Sequence, residues 1–123
     1  MKIIADSNVI FTGRLEGYAL YAWYNIAEIF VLASTREAFG AVTNEALIGG
    51  CFTLVSELAG SNCLINNGIN GFTFNPYNEE EMIKTIKKSI EKTPLRTYPL
   101  VVRKNKMQYS FSEYVDSLIK NIK

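Results

Sequence analysis

The sequence predicts an α/β protein organised around a parallel sheet, and three observations carry that prediction. Short apolar, β-branched runs alternate with stretches of helical periodicity. One run, Glu28-Ile29-Phe30-Val31-Leu32-Ala33, is apolar almost throughout, as expected of a central strand covered on both faces. Glycine and proline punctuate the runs at their ends, at Gly13, Gly49-Gly50 and Pro94.

Taken in order, residues 8–13 read as a strand stopped by Gly13, and residues 18–26, rich in Ala, Leu, Tyr and Trp, as a buried helix. The apolar run at 28–33 is the next strand. Residues 41–49 form a short helix closed by Gly49-Gly50, residues 51–55 a strand, 60–66 a short helix and 71–74 another strand. After Pro76 comes the clearest helix. Asn78 is its N-cap, and Glu79, Glu80 and Glu81 occupy the first turn, where the helix dipole favours anions. Ile83, Ile86 and Ile90 share one face and Pro94 ends the run. Last, Ser110 and Glu113 make a capping box ahead of an apolar stripe from Phe111 to Ile122. The expected division is a sheet domain over residues 1–94 and a helical extension, 95–123, packed on it.

At 123 residues and 48% hydrophobic, the chain is one domain's worth and has an ordinary core available. Cys51 and Cys63 match no metal or redox spacing and read as reduced, half-buried residues. No signal segment opens the sequence and no apolar run approaches a membrane span, so a cytoplasmic location is expected. Histidine is absent, which excludes Ser-His-Asp and Cys-His nucleophile schemes and the commonest zinc ligand. The net charge is +1, but the acids lie mainly before Met82 and the bases after it. Those lysines and arginines are either solvated helix faces or a basic surface resting on an anionic membrane at its inner face. No nucleic-acid partner is expected.

Ligands of a parallel α/β sheet sit beyond the C-terminal ends of its strands. There, directly after the most apolar strand, stands Ser34-Thr35-Arg36-Glu37-Ala38-Phe39-Gly40, followed at once by a helix. Glycine lets backbone approach a ligand, and the first amides of a helix are donors without intrahelical partners, so the junction is a candidate phosphate site. Glu37 and Glu45 flank it with seven residues between them. The pair suits a diphosphate ligand carrying two polyols, one carboxylate for each; it equally suits two surface glutamates that merely favour a helix start.

Beyond these elements the order of motifs is recognisable. The run LYAWYNIAEIFVLAS at residues 20–34 precedes Glu37-Ala38-Phe39-Gly40, Asn44-Glu45-Ala46-Leu47, Gly49-Gly50, Val55-Ser56, Ala59-Gly60 and Asn67-Gly68-Ile69-Asn70-Gly71-Phe72. Together they resemble the group 1 retaining glycosyltransferases, whose hallmark is a pair of glutamates at this spacing. The resemblance implies the second, donor-binding domain of a GT-B enzyme: a partial Rossmann-like parallel sheet lacking its first two strands. It implies transfer of a sugar with retention, in polysaccharide or glycolipid synthesis, from a nucleotide-diphosphate sugar and without a metal or other cofactor. Glu37 is then the catalytic-site carboxylate at the donor sugar, and Glu45 the acceptor for the ribose hydroxyls. The amides of Gly40, Ala41 and Val42 hold the diphosphate, Phe39 belongs to the donor-binding set, and Arg14 and Leu15 lie against the base. The sequence departs from the family pattern at Ala33, Ala38, Cys51-Phe52 and Cys63.

The same resemblance makes residues 9–12 the third strand and residues 29–32 the fourth of the order 3-2-1-4-5-6, with two strands wanting between them. The edge is expected to be closed by an N-terminal acceptor domain, by a second copy of the chain, or by direct pairing of those two strands, with self-association favoured. The alternatives to an enzyme part are a degenerate nucleotide-binding or interaction module and an unrelated flavodoxin-like domain.

Overall fold

A computed structural model describes residues 6–92 and 119–120. In chain order the elements are helix α1 (Gly17–Ile26), strand β1 (Ile29–Leu32), helix α2 (Ala41–Ile48), strand β2 (Phe52–Ser56), a 3₁₀ helix (Gly60–Leu64), strand β3 (Gly71–Phe74) and helix α3 (Glu79–Lys92). The strands form one parallel sheet in the order β1-β2-β3. Ile29 pairs with Phe52 and Leu32 with Val55, and Thr53 pairs with Gly71 and Ser56 with Phe74. The class is therefore the α/β architecture that the alternating pattern predicts, in partial form.

β2 is the centre of the sheet, and all five of its residues are buried. Phe52 and Leu54 point to one face, where they pack with Phe74, Ile29, Phe72 and the α3 residues Met82 and Ile86. The opposite face carries Tyr24, Ala46 and Cys51, with Leu20, Ala27 and Phe30 against them, and Val55, Ala59 and Ile65 with Leu32. α1 and α2 thus cover one face of the sheet and α3 the other, the two-layered cover that a parallel sheet requires.

Four expectations are corrected. Residues 8–13 make no strand; Ile10 is 73% exposed, and Val9 and Phe11 are exposed beside it. Their side chains suit a strand, but β propensity expresses packing against a neighbouring strand, and no strand among the described residues pairs with them. Among the described residues β1 is consequently an edge and not a central strand, and Val31 is 41% exposed although the sequence reads as buried on both sides. α1 buries one residue, Tyr24, where a buried helix is expected; Tyr18 is 93% exposed and Tyr21 and Ile26 are exposed with it. The cysteines split: Cys51 is fully buried and Cys63 exposed.

α3 starts as expected. The Asn78 side chain accepts from the Glu81 amide at 3.1 Å, and the Glu81 carboxylate accepts from the Asn75 amide at 3.1 Å. Its inward stripe, however, is Met82, Ile86 and Ser89, while Ile83 and Ile90 face solvent. Ser89 tolerates complete burial because its hydroxyl donates to the Thr85 carbonyl at 2.7 Å, one turn back. The Ser110–Glu113 capping box and nearly all of its apolar stripe lie outside the described residues, as does most of the proposed 95–123 extension. Among the described residues no helix is long and apolar enough to cross a membrane.

Candidate functional site

The loop leaving β1 is stitched to the loop leaving β2. Glu37 and Ala59 form a parallel bridge, the Gly60 amide donates to the Glu37 carbonyl at 3.0 Å, and the Ser61 amide donates to the Phe39 carbonyl. This close approach demands glycine at residue 60, because a Cβ there would overlap the Ala38 carbonyl. At the end of the stitch Gly40 takes a left-handed conformation, φ 88°, and the chain enters α2. The Thr43 and Ser61 hydroxyls, both fully buried, lie 2.7 Å apart and tie the first turn of α2 to the second loop.

The result is a helix start at the C-terminal edge of the sheet that no side chain caps. Ala41 is exposed and Val42 half-buried, while Gly40 is buried between them and the sheet edge. The dipoles of the opening amides and the helix dipole favour an anion at that spot. Phe39 stands 48% exposed just before it. Glu37 is exposed at the rim, and Glu45 is half-buried one turn into α2.

Glu45 is held. The Tyr24 hydroxyl of α1 donates to its Oε2 at 3.3 Å. Burial, reinforced by the neighbouring Glu45 carboxylate, pushes the Tyr24 phenol up to about 12, so it stays a neutral donor at ordinary pH. Beside this pair a cavity of about 350 Å³ is lined by Tyr21, Tyr24, Asn25, Glu45, Ile48 and Gly49.

Of the residues named from the sequence, the fold gathers Glu37, Phe39, Gly40, Ala41, Val42 and Glu45 on one loop and helix start. Arg14 stands apart: it faces solvent on the extended stretch before α1 and pairs with Glu16 at 2.8 Å. Leu15, its neighbour, is half-buried. Sequence reading missed Tyr24, Thr43 and Ser61. Thr43 and Ser61 carry no spacing signal, because their contact joins α2 to the 3₁₀ helix across 18 positions. Tyr24 had one in principle, an aromatic with a polar tip on the inner face of an otherwise apolar helix.

The family model for group 1 glycosyl transferases matches residues 4–108. A sucrose synthase of Thermosynechococcus vestitus is 41% identical over 63 residues, 51% of this chain and 8% of that protein. A serotype-specific mannosyltransferase of Escherichia coli is 32% identical over 87 residues, 71% of this chain and 10% of its own length. A sulfoquinovosyl transferase of Arabidopsis thaliana is 29% identical over 89 residues, 70% of this chain and 18% of its own. The chain thus spans less than a fifth of the length of each of these three relatives. With the family model matching most of its residues, the chain belongs to the group 1 glycosyltransferases.

Proposed function

We propose that this chain is the donor-binding part of a glycosyltransferase that transfers a sugar with retention from a nucleotide-diphosphate sugar. One observation carries the reading: an uncapped helix start at the C-terminal edge of a parallel sheet, with Glu37 and Glu45 on either side of it. The amides of Gly40, Ala41 and Val42 receive the diphosphate and stabilise the negative charge that grows on it as the glycosidic bond breaks. Glu37 accepts hydrogen bonds from hydroxyls of the donor sugar and sets its orientation. Glu45 accepts from the ribose hydroxyls, and Phe39 shields the diphosphate from water. Arg14 and Leu15 contact the base once the stretch before α1 folds over the ligand, which requires the Arg14–Glu16 pair to give way. The scheme uses no metal.

A product of the whole enzyme would be a polysaccharide or glycolipid, with the acceptor supplied by another domain or chain. The 123-residue chain alone is then expected to bind a donor without transferring it. Calorimetric titration with a panel of nucleoside diphosphates and nucleotide sugars tests the reading. Weak binding that is lost in Glu45→Ala supports it; micromolar binding that survives Glu45→Ala overturns it. Turnover of a nucleotide sugar by the pure chain, abolished in Glu37→Ala, would overturn the expectation that it is inactive alone.

A further inference from the structure

The Tyr24 hydroxyl bonds one of the two glutamates of the candidate site from a different helix, α1. We propose that Tyr24 is a positioning residue for the donor: its hydroxyl holds the Glu45 carboxylate by one oxygen, so that the other is presented to the ribose diol. The inference rests on the donor-site reading above.

Tyr24 is built to be immobile. Its ring packs edge-to-face on Phe30, with centroids 5.8 Å apart and an interplanar angle of 67°. Its backbone carbonyl accepts from the Cys51 Sγ at 3.2 Å. Gly49 passes so close that a Cβ there would lie 2.6 Å from the Tyr24 Cβ. The hydroxyl therefore sits on a fixed base, while Glu45 has three side-chain torsions to restrain. A glutamate that is already restrained loses less rotamer freedom when a ligand arrives, and that preorganisation appears as affinity. A carboxylate has two oxygens and only accepts, so a bond at Oε2 leaves Oε1 as an acceptor. Burial pushes the phenol up to about 12, so it remains a donor well above neutral pH. The cavity beside the pair gives a ligand room to reach the carboxylate.

A tyrosine that only fills the core would affect every ligand alike; a positioning tyrosine acts on the ribose hydroxyls. The test uses the full chain and titrates ADP, GDP and UDP, each beside its 2′,3′-dideoxy counterpart, by NMR shift changes up to millimolar concentration. Wild type, Tyr24→Phe and Glu45→Gln are compared for whichever diphosphate binds. Tyr24→Phe keeps the ring, and because parent and dideoxy ligands sample the same folded fraction, their affinity ratio is insensitive to partial unfolding. The expected result is about three- to tenfold weaker binding of the parent in Tyr24→Phe, with the dideoxy ligand unchanged, so that the ratio collapses toward one. Equal loss for both ligands, or no loss while Glu45→Gln does weaken the parent, overturns the role of Tyr24 and leaves the donor site standing. Wild type that binds none of the three diphosphates overturns the donor-site reading and this inference with it.

Discussion

The two flanks of the sheet are similar in composition and opposite in behaviour. On the β3 side, α3 closes over Phe52, Leu54, Phe72 and Phe74, and Lys88 sits 4.7 Å above the Phe72 ring, where its charge meets the π face. On the β1 side, α1 and the stretch before it are at least as apolar, but Tyr18, Tyr21, Ile26, Val31 and Ile10 are exposed. Apolar content selects which residues are able to be buried, and a partner surface decides which of them are. The β3 side finds its partner within 20 residues of sequence; the β1 side finds none among the described residues.

The comparison is tested most severely by paired substitutions. Leu54→Ala, in the fully buried centre, is expected to cost about 2–5 kcal/mol in urea unfolding. Val31→Lys, one position across the ladder in β1, is expected to stay within about 0.5 kcal/mol at low protein concentration. An exposed apolar edge strand is also a template for another strand, so wild type is expected to self-associate as concentration rises and Val31→Lys to resist it. Sedimentation velocity reads both. A concentration-independent monomer in wild type would remove the second copy as the cover for this flank.

The stitch between the two loops comes next. Gly60→Ala forces a methyl group onto the Ala38 carbonyl, and backbone cannot swing aside as a side chain can. A loss of about 1–3 kcal/mol is expected. Because the stitch also sets the start of α2, diphosphate binding is expected to weaken by more than the loss of folded protein accounts for. Unchanged stability in Gly60→Ala would mean the loops are not held together in solution.

Tyr24 is the single buried anchor of α1 on the open flank, and its titration reports on that flank alone. The phenol titrates near 12 in the folded chain against 10.0 for an unperturbed tyrosine, so folding favours the neutral form. Its contribution is complete below about pH 10 and is lost as pH rises through 12. Urea midpoints from pH 9 to 12 are expected to fall more steeply for wild type than for Tyr24→Phe. Parallel curves would show that the hydroxyl is solvated and that even this anchor is loose.

How much of this was legible depended on whether the signal was local. The Gly40 turn, the Asn78 cap and strands β2 and β3 follow from turn chemistry, capping and apolar runs within a few residues, and each was readable. The glutamate pair and the helix start were readable too, since both lie in one stretch of nine residues. Residues 8–13 were misread because a strand is a property of two segments, and no strand among the described residues pairs with this one. The same logic hid Tyr24–Glu45 and Thr43–Ser61, contacts that span 21 and 18 positions.

The smallest effect concerns the face of α3. Three isoleucines at positions 83, 86 and 90 suggest a single apolar stripe, yet the sheet receives Met82, Ile86 and Ser89. The difference is a rotation of the helix about its axis. Thr85 and Ser89 make it possible, because each satisfies its own hydroxyl on the carbonyl four residues earlier and so can turn inward without an unpaired polar group. Ile83 is left facing water at 45% exposure. Ile83→Gln is therefore expected to change stability by no more than about 0.5 kcal/mol, as for an ordinary surface site. Ile90 is more exposed still, at 61%, and Ile90→Gln is expected to behave in the same way. A loss above about 2 kcal/mol for Ile83→Gln would put that residue in a core, and α3 would then carry a second covered face opposite the sheet.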